Sequence, residues 1–433
     1  MLRSFARGLY ASFLVDRRVL ALAFARLADG VGNSFLIIVI PLYVASDVVT
    51  GATFGLAEAM VIGIILSLYG FLNSSLQPFA GRLSDRAGAR KRYILLGLGG
   101  LTVTNLLYLL AGSYVSLIVI RALQGVSVAF IVPASIALVN ELAGDRTRGG
   151  NMGVYNTFRL IGFGAGPIAA GAVVAAGPYE LGAGSAWITL SGFEAAFWVA
   201  AITAAISLTM VAVLISDPER TKASAGGTPS IDVFDPRDGQ LFDPVFTLGI
   251  ATLFMTIGIA LFATIQNEVN AHLDQGSTWF GLQFAAFVIA QVLLQAPIGG
   301  ASDRLGRRPF ICWGMILLVP TTLAQGFVAT PETMFLARLA QGVAGAMVFA
   351  PGLALAGDLA GEGESGTKLS VLTMSFGFGI ALGPLTSGFL IGLGFVVPFA
   401  FGAALAALGA VLVYTQVEET IERGVRERAA TTD

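Results

Sequence analysis

Twelve stretches of mostly apolar residues, each long enough to cross a lipid bilayer, follow one another along this 433-residue chain. They lie at 19–45, 55–80, 93–112, 115–142, 151–176, 192–216, 245–269, 278–301, 309–329, 332–359, 366–391 and 394–415. A span takes ~20 such residues, and inside lipid its backbone must satisfy its own polar groups, which a helix does. The supply of charge agrees. Only 12% of residues are charged and 55% are hydrophobic, whereas a soluble domain carries roughly 25% charged residues. A soluble enzyme, a disulfide scaffold and a disordered chain are excluded on that ground. The expected fold class is an all-α membrane protein with twelve transmembrane helices.

One long polar interruption, rich in Pro, Gly, Ser and Asp, divides the spans six and six. The expected domains are an N-terminal six-helix bundle (1–216), a cytoplasmic linker (217–244), and a C-terminal six-helix bundle with a cytoplasmic tail (245–433). Basic residues orient the spans. With the N-terminus inside, twenty-one of the 25 lysines and arginines fall in inner segments, counting Lys368 at the inner edge of the eleventh span; none falls in an outer loop, and Arg26, Arg121, Arg159 and Arg338 lie deeper within spans. That asymmetry is the positive-inside pattern and places both termini in the cytoplasm, in a multi-pass protein of the plasma membrane. The apolar run after the basic N-terminus reads as a first span rather than a cleaved leader. The single cysteine, Cys312, and single histidine, His272, leave no disulfide and no His/Cys metal site. None of the three lysines follows a phosphate-binding glycine loop, so no ATP-hydrolysing engine, metal or cofactor is expected. The partners expected are the bilayer and a small molecule, not nucleic acid.

The two halves repeat at an offset of 217–218 residues. Gly81-x-x-x-Asp85-Arg86-x-Gly88 matches Gly299-x-x-x-Asp303-Arg304-x-Gly306. Arg121-x-x-Gln124-Gly125 matches Arg338-x-x-Gln341-Gly342, and Gly162-x-x-x-Gly166-Pro167 with Gly171 matches Gly379-x-x-x-Gly383-Pro384 with Gly388. Glu141 and Asp358 recur at the inner ends of spans 4 and 10. Six spans separate the copies, so the repeat is parallel, and a substrate path is expected between two similar bundles near the midplane.

The duplicated G-x-x-x-D-R-x-G loop resembles the signature loop of the major facilitator superfamily, and R-x-x-Q-G resembles its span-4 motif. The glycine–proline pattern of span 5 is similar to one found in its drug:proton antiporters, with Ala170 where glycine is usual. The resemblance covers nearly the whole chain and implies a monomeric secondary transporter working by alternating access. In one respect the chain departs from it. The second loop continues as Gly306-Arg307-Arg308, the first as Gly88-Ala89-Arg90-Lys91, so the first half lacks the usual basic partner unless Arg90 takes that place. The family assigns these loops, with Asp85, Asp303, Glu141 and Asp358, to an inner gate; a basic surface loop held by ion pairs is the plainer account. The glycine rows fit close helix packing as well as gating.

Charges buried in spans carry more information about mechanism. Asp29 and Arg26 share a face of span 1 at i, i+3, about 10–15 Å from its inner end, and Asn33 follows Asp29 by four. Burial raises a carboxyl's pKa and a neighbouring arginine lowers it, the competition a proton carrier requires; a permanent ion pair fits the same spacing. Tetracycline/proton antiporters are similar in span 1, with Asp29 and Gly32 in the matching places and Pro41 at a longer spacing. In the family the arginine at Arg121 is linked to proton coupling, beside Gln124. Arg159, Arg338 and Gln341 are further cavity candidates, as are Gln266 and Asn267 in span 7 and Gln283, Gln291 and Gln295 in span 8. Glu58, Glu194 and Glu268 lie near outer ends, as acidic partners or facing water. The leading function is proton-coupled export of a small, partly apolar compound. Uptake of an organic anion is the alternative, favoured by the excess of buried arginine, and a non-transporting receptor is the third reading. The usual hydrolytic motifs of an intramembrane enzyme are missing.

Overall fold

The computed structural model describes residues 17–46, 48–51, 53, 55–142, 148–183, 186–217, 233–234, 241–359 and 365–419. The described residues form thirteen α-helices and one hairpin. In chain order they are α1 (Arg17–Val44), α2 (Glu58–Ala87), α3 (Arg90–Leu107), α4 (Tyr114–Leu142), α5 (Arg148–Ala176), β1 (Tyr179–Ala183), β2 (Ala186–Leu190) and α6 (Gly192–Leu214). There follow α7 (Pro244–Ala260), α8 (Gln266–His272), α9 (Ser277–Leu305), α10 (Arg307–Ala324), α11 (Pro331–Asp358), α12 (Ser365–Leu390) and α13 (Val397–Gln416). Eleven helices are long and apolar enough to cross a membrane. Apart from the short α8, the exception is α10, which is 18 residues long and begins with two arginines. The protein is a multi-pass, all-α membrane protein.

Helix starts follow local chemistry. Ser191 caps α6 and Glu194 reaches back to its backbone, a reciprocal box. Asp243 caps α7 ahead of Pro244, and Thr330 with Thr333 caps α11 ahead of Pro331; proline suits the first helical turn because its missing N–H is not needed there. Glu194 is thus spent on a cap. The hairpin pairs Tyr179 with Leu190 through Ala183 with Ala186, and the span-by-span sequence reading does not include it.

Span 7 needs a correction. The apolar run suggests one helix to residue 269, but α7 ends at Ala260, tightens into a 3₁₀ turn at Leu261–Ala263, and the chain restarts as α8. Residues 261–265 are apolar apart from Thr264, so the break leaves no trace in hydropathy. Gln266 and Asn267 therefore sit beyond the spanning helix.

The chain divides into two compact units. One comprises residues 1–39 and 72–225, the other 40–71 and 226–433. In the first unit α3 packs on α4 and α6; in the second α10 packs on α11 and α13, and α7 on α12 and α13. Glycine sets the closest approaches. In the first unit, Gly162 and Gly166 of α5 lie against Leu27, Val31 and Ser34 of α1. In the second, their repeats Gly379 and Gly383 lie against Leu253, Thr256, Ile257 and Ala260 of α7. Gly388 abuts Ala59, Gly63 sits over the Pro384 carbonyl and Gly70 against Ala381, so the first half of α2 is packed within the second unit.

Candidate functional site

Arg90 opens α3 two residues past Gly88, whose φ is +59°. Its side chain is 4% exposed and reaches Glu141 at the end of α4, with Nη2 3.1 Å and Nε 3.2 Å from Oε1, while Nη1 donates to Ser84 Oγ at 2.9 Å. The second unit builds the same lock. Gly306, with φ +106°, turns the chain into α10, and Arg307 pairs with Asp358 at the end of α11 and, at 3.1 Å, with Asp303. Arg307 also donates to the Ala354 carbonyl at 2.6 Å. Arg90 and Arg307 stand 217 apart, as do Glu141 and Asp358. Arg90 thus holds in the first copy the place that Arg307 holds in the second, with Ala89 as an inserted residue. A second clasp repeats beside each lock: Lys91 N–H donates to Asp217 at 2.8 Å and Arg308 N–H to Glu419 at 2.9 Å. These acids satisfy free amides at the helix starts. Arg86 and Arg304 are exposed and join neither lock, Gly81 lies against Pro133, and Gly299 faces open space. The Asp85 side chain lies outside the described residues.

Deeper in the first unit, Arg121 is 1% exposed. Its Nη1 donates to Gln124 Oε1 at 3.0 Å and its Nη2 to Asn33 Oδ1 of α1 at 3.4 Å. Gln124 Oε1 also accepts from the Tyr108 hydroxyl at 3.0 Å, and its amide donates to Asn105 at 2.6 Å. Asn105 continues to the Ala200 carbonyl of α6 at 3.1 Å. One buried chain of polar groups thus ties α1, α3, α4 and α6. Burial without partners would be costly for every member. Asn33 lies one helical turn from Asp29, whose side chain is outside the described residues. Arg26 is half-buried on α1, and Arg159 bonds Asn156 one turn back on its own helix at 3.0 Å.

In the second unit Arg338 is fully buried. It donates to Gln341 Oε1 at 2.5 Å, and Gln341 passes on to Thr322 at 3.0 Å. Thr322 is the repeat of Asn105, and Gln325 that of Tyr108. Here the guanidinium is caged by aromatic faces, 4.4 Å from the centre of Phe262, 5.1 Å from Phe287 and 5.8 Å from Phe284. Its Nη2 makes no hydrogen bond among the described residues. Cation–π attraction offsets part of the desolvation, but it supplies no counter-charge.

Other expected cavity residues stand apart. Gln283, near the start of α9, bonds Gln275 and the Pro331 carbonyl, Gln291 is buried toward Gly345, and Gln295 is half-buried. Asn267 bonds the Pro41 carbonyl at 3.2 Å and Glu58 at 3.4 Å, and Gln266 is buried on the same short helix. Tyr108, Asn105, Ser84, Asp217 and Glu419 were missed; extending the repeat register from Gln341 back to Thr322 would have found Asn105.

The family profile of the Major Facilitator Superfamily matches residues 22–267 and 245–432. An uncharacterized MFS-type transporter of Methanocaldococcus jannaschii is 26% identical over 191 residues, 44% of this chain and 50% of that protein. Multidrug resistance protein 2 of Bacillus subtilis is 27% identical over 178 residues, 41% of this chain and 44% of that protein. The chain thus spans about half the length of the curated relatives it matches. A bacterial homolog of the human lysosomal transporter Spinster superposes with a TM-score of 0.72 at 14% identity, over 92% of this chain and 95% of that one. The profile match over both halves makes the chain a member of the Major Facilitator Superfamily of transporters.

Proposed function

We propose that the protein exports a small amphipathic compound across the plasma membrane in exchange for protons, by alternating access, with both termini cytoplasmic. The observation that carries this reading is the network of Arg121, Gln124, Tyr108 and Asn105, which hands Arg121 to Asn33 one turn from Asp29. A proton arriving at Asp29 changes the charge carried by α1 one helical turn from Asn33, and the polar network that joins Asn33 to α3, α4 and α6 is the means by which that change is registered. The matching pairs Arg90–Glu141 and Arg307–Asp358 serve as locks at the basic end of each unit, where the positive-inside pattern puts the cytoplasm. Similarity to a multidrug resistance protein supports an exporter.

The test is transport by purified protein in liposomes under an imposed pH gradient. Efflux of lipophilic cationic or neutral dyes should accelerate with the gradient, and Asp29→Asn should abolish that acceleration. Rates indifferent to both would overturn the reading. A second reading, uptake of an organic anion, is favoured by Arg338 alone: a buried cation whose Nη2 has no hydrogen-bond partner among the described residues fits a carboxylate that arrives with the substrate. Uptake of aromatic carboxylates lost in Arg338→Gln would select it.

A further inference from the structure

At the end of the second unit free of lysine and arginine, two acids and one amide meet. Asn267, second residue of α8, donates to the Pro41 carbonyl in the last turn of α1 at 3.2 Å and to Glu58 Oε1 at the start of α2 at 3.4 Å. The next residue, Glu268, is mostly buried, and its Oε2 is shut from solvent with no hydrogen-bond partner among the described residues. Behind this junction α2 is pressed onto α12, with Gly63 over the Pro384 carbonyl and Ala59 against Gly388. The amide therefore staples the chain ends that frame a close helix contact, and a carboxylate is buried in the staple.

Among the described residues no lysine or arginine lies at this end to balance that carboxylate. The described ionisable groups at this end are Glu58 on α2, Tyr43 on α1, His272 and Asp274 on and after α8, and Glu332 at the start of α11. His272 stacks on Phe395 at 4.0 Å between ring centres. The start of α9 offers only Ser277 and Thr278. Burial raises the Glu268 carboxyl above the usual carboxylate range; its own backbone N–H opposes this, and the charge of Glu58 adds to it.

We propose that Glu268 is a proton-binding site at this end of the molecule, and that its protonation tightens the contact of α8 with the ends of α1 and α2. The neutral acid can stay buried, and next to Glu58 it no longer repels. The sign follows. The contact is complete below the ordinary carboxylate range and weakens as pH rises through the raised value of Glu268, by about tenfold in its equilibrium for each unit of elevation. If the proton-coupled reading above holds, which sets this end outward, the site takes up a proton on the side that supplies it, and closing the staple is the first mechanical result. The place in a cycle rests on that reading; the binding itself does not.

The experiment is hydrogen–deuterium exchange of residues 58–71 in the full-length protein in nanodiscs, between pH 5 and pH 8, normalised for the chemical exchange rate. Wild type should be severalfold better protected at pH 5. Glu268→Gln should be protected at every pH with a flat profile. Glu58→Gln, at an exposed position, should keep the response and move its midpoint to lower pH. A flat wild-type profile, or a wild-type response retained in Glu268→Gln, overturns the proposal. If the response is as expected while liposome transport ignores the gradient, the exchange reading falls and the proton site stands.

Discussion

At the scale of single residues, the two locks differ in how much water they see. Arg90 and Glu141 are 4% and 10% exposed, Arg307 and Asp358 17% and 39%. Breaking a buried pair strands a charge and costs about 3–5 kcal/mol, whereas exposed pairs contribute about 1 kcal/mol or less. Arg90→Met should therefore lower the thermal midpoint in detergent far more than Arg307→Met, and equal losses would contradict the burial argument. Glycine 306 is the other sharp case. Its φ of +106° is strained for any side chain, and an added Cβ would lie 2.9 Å from Glu419 Oε2. Gly306→Ala should cost about 1–3 kcal/mol, while Gly299→Ala, with nothing within 4 Å, should be neutral or slightly stabilising. Arg90 was legible in the sequence only as a substitute of unknown standing, because the inserted Ala89 breaks the register of the loop. The distance to Glu141, on another helix, is what a linear pattern does not carry.

At the scale of helices, small residues decide what approaches what. Gly162 and Gly379 fall at matched sites where the α1–α5 and α7–α12 pairs touch. Leucine at Gly162 must displace the Leu27 carbonyl backbone, so Gly162→Leu should destabilise by at least about 1–3 kcal/mol. Gly99→Ala on α3, with nothing within 4 Å, is the control that should leave yield and thermal midpoint unchanged. The sequence showed these glycines as packing rows, and their partners came from the fold. Helix ends were the least legible feature. Hydropathy runs unbroken through Leu261–Ile265, yet the chain leaves α7 there, and that misplacement put Asn267 in a central cavity when it belongs to the staple with Pro41 and Glu58.

At the scale of the whole molecule, the twelve apolar runs and the duplicated motifs made the fold class readable from composition and spacing alone, because lipid leaves a chain few ways to satisfy its backbone. What they did not show is that residues 40–71 are packed within the second compact unit. A fragment of residues 226–433 lacks Ala59, Gly63 and Gly70, which α12 contacts. Expressed alone it should be degraded or protease-sensitive, and co-expression with residues 1–225 should restore a protected band; a stable solitary fragment would argue against that packing.

The clasps also show where the two copies differ in length. Arg90 and Arg307 are 217 residues apart, but their neighbouring acids Asp217 and Glu419 are only 202 apart. The missing length lies between α5 and α6, where the hairpin Tyr179–Leu190 stands and where α12 and α13 are joined by a short turn. The hairpin thus stands where the first copy is longer than the second, and the helices on either side of it keep their counterparts. It is the natural position for an epitope or a fluorescent reporter, since one half of the protein already folds without it.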